Sequence, residues 1–164
     1  MQNTTLCYLE RDGKYLMLHR VKKEGDINRD KWIGVGGHFE EGESPFDCAI
    51  REVFEETGLA LAEAEYRGIV TFVSDRFESE QMHLFTSRAF VGEMIECAEG
   101  ELCWVEKDKV LSLPIWEGDR LFFALLAQNR PFFSLKLSYR GDTLVSAVLD
   151  GIPLSRDAEG GFLL

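Results

Sequence analysis

The stretch GGHFEEGESPFDCAIREVFEETGL, residues 36–59, decides the fold of this chain and contains an unusual excess of acid. It has one strongly basic residue, Arg51, against seven acidic ones. The acids are Glu40, Glu41, Glu43, Asp47, Glu52, Glu55 and Glu56. A solvated surface normally mixes both signs of charge, so we interpret the segment as one that holds a cation.

Within this segment, residues 44–57 predict the clearest helix in the chain. Ser44 can cap it, Pro45 suits its first turn, and Asp47 completes a start that resembles a capping box. Gly58 is well placed to end it. Apolar residues at three- and four-residue spacing predict one buried stripe, made of Phe46, Ala49, Ile50, Val53, Phe54 and Thr57.

A second face of the same helix carries glutamates. Glu52 and Glu56 lie one turn apart, with Glu55 beside them, and each like-charge pair destabilises an exposed helix by roughly a few tenths of a kcal/mol. Mg²⁺ would relieve this repulsion, because it takes one or two carboxylates together with substrate phosphates. The carbonyls of the Gly36-Gly37 turn offer a further oxygen ligand. The alternative interpretation is a solvated acidic helix face.

The rest of the chain predicts one domain built on a sheet. With 164 residues the chain is long enough for a sizeable core. Residues 4–9 and 15–19 predict a hairpin around Asp12-Gly13, and residues 21–31 predict a surface loop. Further elements follow in chain order: strands at 66–73, 82–91, 102–105, 132–139 and 143–149, and a second helix at 116–126. Mixed strands with two helices indicate a sheet covered by helices on its faces.

Composition excludes several classes of protein. A net charge of −11 argues against binding of polymeric nucleic acid. No apolar run approaches the roughly 20 residues that cross a bilayer, and no signal peptide is visible at the start. The four cysteines and three histidines lack zinc-site spacing. We therefore expect free thiols and a cytoplasmic protein without a membrane partner.

The spacing of the acidic segment resembles a known signature. From Gly37 the chain reads glycine, five residues, Glu43, seven residues, then REVFEETGL at 51–59. This is similar to a complete Nudix box, the signature of the Nudix hydrolases. The resemblance implies an α/β/α sandwich with a mixed β-sheet, formed by residues 1–164 as a single domain. It also implies hydrolysis of a nucleoside diphosphate derivative with Mg²⁺, for which Mn²⁺ can substitute.

The resemblance also implies roles for residues inside the box. Glu52, Glu55 and Glu56 match metal-ligand glutamates, and the carbonyl of Gly36 matches a further ligand. Glu43 and Arg51 match a pair that orients the loop against the helix, although a phosphate contact for Arg51 is an alternative.

Downstream of the box, Glu99 matches an acid that supports the metal or the attacking water. Glu101 is its rival, and an exposed loop acid is the plain alternative for both. The proton acceptor for water is expected to be Glu55 or Glu99.

Outside the box the chain more loosely resembles the MutT-type oxidised-purine nucleoside triphosphatases. The resemblance rests on Lys31-Trp32, Cys103-Trp104, Trp116, Asp119 and a Phe-rich terminal hairpin. It implies that Trp116 stacks on the base and that Asp119 hydrogen-bonds the base edge. Gly118 stands where the group has a second acid, and Ile33 where it has an asparagine. These two departures bear on the choice of base.

Three more residues are candidates for substrate contacts. Phe72 offers a second flat face for a base, and Arg20 and Lys23 belong to a loop that flanks the triphosphate in this group. The alternatives are core or rim packing for Phe72 and a solvated basic loop for Arg20 and Lys23.

These patterns predict an enzyme that cleaves a nucleoside triphosphate, such as 8-oxo-dGTP, to the monophosphate and pyrophosphate. The partner would be a small-molecule nucleotide, and the protein a monomer or a homodimer. One alternative is a Nudix hydrolase of a nucleotide sugar, ADP-ribose or a dinucleoside polyphosphate. Another is a module that senses a nucleotide without cleaving it.

Overall fold

The computed structural model describes residues 1–22 and 24–164, which form a nine-stranded sheet with helices on both of its faces. The strands are β1 (Gln2–Arg11), β2 (Lys14–His19), β3 (Trp32–Ile33), β4 (Ala60–Ser74), β5 (Glu80–Val91), β6 (Glu101–Glu106), β7 (Phe133–Arg140), β8 (Thr143–Leu149) and β9 (Ile152–Pro153). The helices are α1 (Pro45–Thr57), α2 (Asp119–Ala127) and a short 3-10 helix (Lys107–Ser112).

The sheet is mixed, as predicted. Its strand order is β3-β2-β1-β5-β4-β7-β8-β9, and β6 pairs with β2 beside this path. The pairs β1–β5 and β4–β7 are parallel, and the remaining pairs are antiparallel. Strands β7 to β9 therefore continue the same sheet that the acidic segment adjoins.

Two hydrophobic cores lie on opposite faces of this sheet. Alternate residues of β1 point to opposite faces, so Tyr8 joins the core beneath α2 while Cys7 and Leu9 join the core beneath α1. Phe122 anchors the first core and Val53 the second, and both are fully buried. The predicted α/β/α sandwich is confirmed.

Local signals in the sequence correspond closely to the structure. Ser44 caps α1 with a complete capping box to Asp47, and Gly58 ends the helix in the left-handed conformation at φ 78°. The hairpin turn between β1 and β2 has φ 52° at Asp12 and 74° at Gly13. Two positive φ values in a two-residue turn match the right-handed twist of the flanking strands.

Some boundaries differ from the prediction. Helix α2 begins at Asp119 rather than at residue 116, because the chain first makes a tighter turn in which the Asp119 N–H donates to the Trp116 carbonyl at 3.0 Å. Strand β4 begins at Ala60, directly after α1, instead of at residue 66. Strands β3 and β9 and the 3-10 helix were not predicted.

The buried stripe predicted for α1 is wrong for half of its members. Ala49, Val53 and Thr57 are buried, whereas Phe46, Ile50 and Phe54 are 43%, 47% and 57% exposed. The helix is rotated toward its glutamate side, so Glu52 and Glu56 are partly buried. Apolar spacing fixed the period of the helix but not which of its apolar residues face the sheet.

Two expectations from composition concern membrane-spanning segments and the state of the cysteines. No helix in residues 1–22 and 24–164 is long and apolar enough to cross a membrane. The four cysteines are free thiols, three of them buried and Cys103 exposed.

The rotation of α1 predicts opposite outcomes for two neighbouring substitutions. Val53→Ala removes fully buried methyl groups and should lower the free energy of unfolding by about 2 kcal/mol. Phe54→Ala should change it by less than about 0.5 kcal/mol, because the ring is mostly exposed. Denaturant unfolding monitored by circular dichroism measures both. The reverse order of effects would show that Phe54 faces the core.

Candidate active site

A cavity of about 460 Å³ lies beside α1 and extends across the sheet face beneath α2. One end is lined by the Gly36-Gly37 turn and by carboxylates. The other end is lined by aromatic side chains and by Asp119. One end of the cavity is therefore suited to a cation, and the other end is suited to a flat apolar group.

The glycine turn lies directly against β1. The Thr5 N–H donates to the Gly37 carbonyl at 2.8 Å, and Cys7 and Val35 exchange both backbone hydrogen bonds. The Gly36 N–H points the other way and donates to Glu56 Oε2 at 3.0 Å.

The carboxylates of Glu52, Glu56 and Glu99 cluster at this end of the cavity. Desolvation raises the pKa of Glu56 to about 8, and the nearby charges of Glu99 and Glu52 add to this. The Gly36 N–H and the charge of Arg20 act in the opposite direction. Proximity of the three acids is therefore unfavourable without a cation.

Arg51 connects the loop before α1 to the helix. Its Nε donates to Glu43 Oε1 at 2.5 Å, and its Nη2 donates to the His38 carbonyl at 3.0 Å. The hydrogen bonds that Glu43 accepts from Arg51, and then from the Glu40 N–H, lower its pKa to about 2. The contacts support the predicted orienting role of Glu43 and Arg51.

Arg51 also contacts two glutamates of its own helix, and these two occupy different surroundings. Its Nη1 lies 2.7 Å from Glu52 Oε1 and 3.2 Å from Glu55 Oε2. Glu52 lines the cavity, whereas the Glu55 side chain is 57% exposed and is not part of the cavity wall. The structure thus groups Glu52 with Glu56 and leaves Glu55 outside.

Glu99 and its rival Glu101 occupy different places. Glu99 lines the cavity and pairs with Arg20, whose Nη1 lies 2.8 Å from Glu99 Oε2. Glu101 is exposed on β6, where it pairs with His19 of β2. A Cβ at Gly100 would lie 2.0 Å from the His19 carbonyl oxygen, so this glycine lets the chain approach β2 and direct Glu99 inward.

At the other end, Trp116 is held on several sides. Its Nε1 donates to Asn28 Oδ1 at 2.8 Å, and Lys31 Nζ lies 4.6 Å from its ring centroid. The ring meets Phe72 and Tyr139 edge-on, at centroid distances of 5.7 and 5.1 Å. Trp116 and Phe72 line the cavity and also belong to the core, so both predicted readings have support.

Asp119 is almost fully buried at the same end. Burial raises its pKa to about 8, although the charge of Lys31 acts in the opposite direction. Burial therefore favours the protonated carboxyl group, which can donate a hydrogen bond.

Gly118 and Ile33, the two departures from the MutT-type pattern, have structural consequences. A Cβ at Gly118 would lie 2.5 Å from Leu137 Cδ1 and 2.8 Å from the Tyr139 hydroxyl. That hydroxyl accepts a hydrogen bond from the Gly118 N–H at 2.7 Å. Ile33 contributes an apolar side chain to the cavity wall.

Sequence reasoning missed several residues of this site. Asp26, Asn28, Glu80 and Tyr139 line the cavity but were assigned only to a loop, a turn or a strand. Their polar side chains at loop and strand ends were the available signal. Lys23, a predicted phosphate contact, lies outside the described residues.

Comparison with known proteins agrees with this geometry. The NUDIX domain family matches residues 2–126. The chain belongs to the Nudix family. This Nudix hydrolase is 34% identical over 157 residues to the Nudix hydrolase YvcI of Bacillus subtilis. The alignment covers 87% of this chain and 95% of that protein.

Two further relatives are informative. An oxidized purine nucleoside triphosphate hydrolase of Danio rerio is 30% identical over 149 residues, covering 90% of this chain and 94% of that protein. The crystal structure of a mutator MutT protein from Bacillus halodurans superposes with a TM-score of 0.81 at 29% identity. It covers 92% of this chain and 98% of the other.

Nudix hydrolases generally use divalent metal ions. The carboxylate oxygens at the glycine-turn end of the cavity are suited to such an ion. Among residues 1–22 and 24–164, no three acidic, cysteine or histidine side chains converge closely enough to enclose a metal. Glu52 and Glu56 nevertheless line the cavity beside Gly36 with carboxylate oxygens, and their charges are unfavourably close to that of Glu99. Such a lining suits a hard ion that completes its coordination with water and substrate phosphates.

The raised pKa of Glu56 predicts how pH affects stability. Between its ordinary value of 4.5 and about 8, the folded state binds more protons at this group than the unfolded state does. The free energy of unfolding of the metal-free protein should therefore fall as pH rises through this window.

The matched variant is Glu56→Gln, which should flatten that part of the pH profile. Denaturant unfolding at several pH values, with a chelator present, measures the difference between variant and wild type. This difference also removes the contribution of Asp119, which titrates over the same range. Identical slopes in both proteins would contradict the assignment.

Proposed function

We propose that this Nudix hydrolase is a Mg²⁺-dependent nucleoside triphosphate pyrophosphohydrolase that acts on a purine nucleotide, with oxidised purines as the first candidates. The observation that carries this proposal is one cavity with clustered carboxylates at one end and aromatic rings with a buried acid at the other. A nucleoside triphosphate has the same division, since its phosphates need cations and its base needs a flat apolar surface.

The relatives support the choice of substrate class. The Danio rerio protein, and a Mus musculus protein 30% identical over 127 residues, are both named oxidized purine nucleoside triphosphate hydrolases. The small size of the cavity favours a mononucleotide over a polymer.

At the phosphate end, Glu52, Glu56 and the Gly36 carbonyl would hold Mg²⁺, and Glu99 beside them would support the ion as well as the attacking water. When bound, the ion neutralises phosphate charge and lowers the pKa of water. Water attacks an internal phosphorus, its oxygen forms the new bond, and pyrophosphate leaves with the bridging oxygen. Glu99 is our choice of proton acceptor over Glu55, because it lines the cavity beside Glu56.

At the base end, Trp116 and Phe72 would pack against the purine, and protonated Asp119 would donate to an acceptor on its edge. Leu137 and Tyr139 of β7 complete this wall. Because these residues lie beyond the matched family segment, we propose that residues 1–164 act as one catalytic domain.

The first test is pyrophosphate release with Mg²⁺ from 8-oxo-dGTP, 2-hydroxy-dATP and undamaged nucleoside triphosphates. ADP-ribose and a nucleotide sugar, scored by their own products, complete the panel. Preference for a triphosphate supports the proposal, and cleavage of the last two substrates alone would refute it.

Substitutions in the box test the roles of its glutamates. Glu52→Gln and Glu56→Gln should each lower kcat by at least about 100-fold, because each removes a negative charge from the proposed metal site. Glu41→Gln is the matched control, since Glu41 is an exposed acid of the same segment. Its kcat should equal that of the wild type. Equal losses in all three variants would point to net charge rather than to a site.

The raised pKa of Asp119 predicts that the preference for one purine over another depends on pH. The Asp119 proton is lost as pH rises through about 8, and with it the donated hydrogen bond. The ratio of kcat/KM for the preferred purine to that for its weakest purine competitor should fall over this range. Groups common to both reactions cancel in the ratio.

Asp119→Asn is the control for this effect, since an amide keeps a donor at every pH. The ratio for this variant should be flat across the same range. A wild-type ratio that is itself independent of pH would show that Asp119 does not read the base.

A further inference from the structure

Arg20 is one of the least exposed charged residues beside the cavity, and it binds two carboxylates. Its Nε lies 2.6 Å from Asp26 Oδ2, and its Nη1 lies 2.8 Å from Glu99 Oε2. The Arg20 and Asp26 side chains are only 10% and 3% exposed. An ion pair this enclosed has a fixed geometry, unlike a solvated pair at the surface.

The backbone of Arg20 also closes the loop that follows β2. Its N–H donates to the Lys31 carbonyl at 3.0 Å, and its own carbonyl accepts from the Asp30 N–H at 2.8 Å. The side chain therefore reaches Glu99 from the point where the two ends of this loop meet.

The contacts of Arg20 continue along the loop to the base end of the cavity. Asp26 Oδ1 accepts from the Asn28 N–H at 3.0 Å, and Asn28 Oδ1 accepts from Trp116 Nε1 at 2.8 Å. A chain of hydrogen bonds thus runs from Glu99 through Arg20, Asp26 and Asn28 to Trp116.

We propose that Arg20 is a positioning residue, which holds the Glu99 carboxylate toward Glu56 and fixes the loop that carries Asp26 and Asn28. The proposal rests on the proposed function, because it assigns Arg20 a task within the same metal-dependent site. It differs from a direct contact between Arg20 and substrate phosphate, which the loop position of Arg20 also suggests.

Two features favour positioning over phosphate contact. The Nε and Nη1 atoms of the guanidinium already bind carboxylates, and only such a planar fork can hold two acids in fixed directions. The contact between Nη1 and Glu99 Oε2 also places the guanidinium beside the carboxylate cluster. Replacement by lysine keeps the positive charge and removes the fork.

The test is Mn²⁺ binding to the full chain without nucleotide, measured by electron paramagnetic resonance. Arg20→Lys should weaken binding by about 10-fold, as expected when a residue that orients a metal-site acid is lost. Glu99→Gln should weaken it as well, and the double variant should bind no more weakly than Glu99→Gln alone, because Arg20 acts through Glu99.

Kinetics with Mn²⁺ and a cleaved nucleotide provide a second readout. Positioning predicts a lower kcat for Arg20→Lys with little change in KM for the nucleotide. A direct phosphate contact predicts the reverse: a raised KM with unchanged Mn²⁺ binding to the free enzyme.

Arg29→Lys is the matched control, since Arg29 is exposed in the same loop and the charge is again conserved. Asp26→Glu repeats the test from the other side of the ion pair, also without a change of charge, should Arg20→Lys not fold. Thermal melting of every variant establishes that it is folded.

Three results would decide against the proposal. Wild-type Mn²⁺ affinity in both Arg20→Lys and Asp26→Glu would overturn it, as would independent, multiplying effects of Arg20→Lys and Glu99→Gln. Absence of Mn²⁺ binding by the wild type would overturn both this proposal and the proposed function. Mn²⁺ binding without nucleotide hydrolysis would refute the proposed function alone.

Discussion

The site depends on how closely the Gly36-Gly37 turn lies between β1 and α1. A Cβ at Gly36 would be 1.9 Å from the Thr5 carbonyl oxygen, and one at Gly37 would be 2.5 Å from Glu52 Cδ. A side chain at Gly36 would therefore displace the strand, and one at Gly37 would displace the Glu52 carboxylate from its place on the cavity wall. Backbone alone therefore separates the sheet from the helix glutamates, and this lets the Gly36 amide reach Glu56.

Around this turn, positive charge is distributed unevenly among the acids. Arg51 is shared by Glu43, Glu52 and Glu55, so these carboxylates are partly neutralised in the metal-free protein. Desolvation raises the pKa of Glu56 despite the hydrogen bond from the Gly36 N–H, whereas the hydrogen bonds from Arg51 lower that of Glu43. The repulsion within the acidic segment is thus concentrated on the carboxylate that faces the cavity, where a cation and a phosphate would meet.

The sequence predicted what is encoded locally and missed what depends on distant residues. The cap at Ser44, the stop at Gly58 and the box spacing need only neighbouring positions, and the first two are confirmed. Which side of α1 faces the sheet depends on residues that are distant in the sequence, so Phe54 was wrongly assigned to the core. The pairing of Arg20 with Glu99 joins a loop to a segment far along the chain, and no local pattern indicates it.

At the base end, Gly118 stands where the MutT-type group has an acid, and side chains of β7 occupy the space beside it. An acidic side chain at Gly118 would require Leu137 and Tyr139 to shift. With glycine there, the polar group beside this position is the Tyr139 hydroxyl of β7. Burial, followed by the charge of Asp119, raises the pKa of Tyr139, and the phenol keeps its proton at neutral pH. A hydroxyl donates one hydrogen bond where a carboxylate accepts. Under the proposed function, a base edge that presents an acceptor toward Tyr139 is therefore favoured, whereas Ile33 offers no polar contact on its side of the cavity.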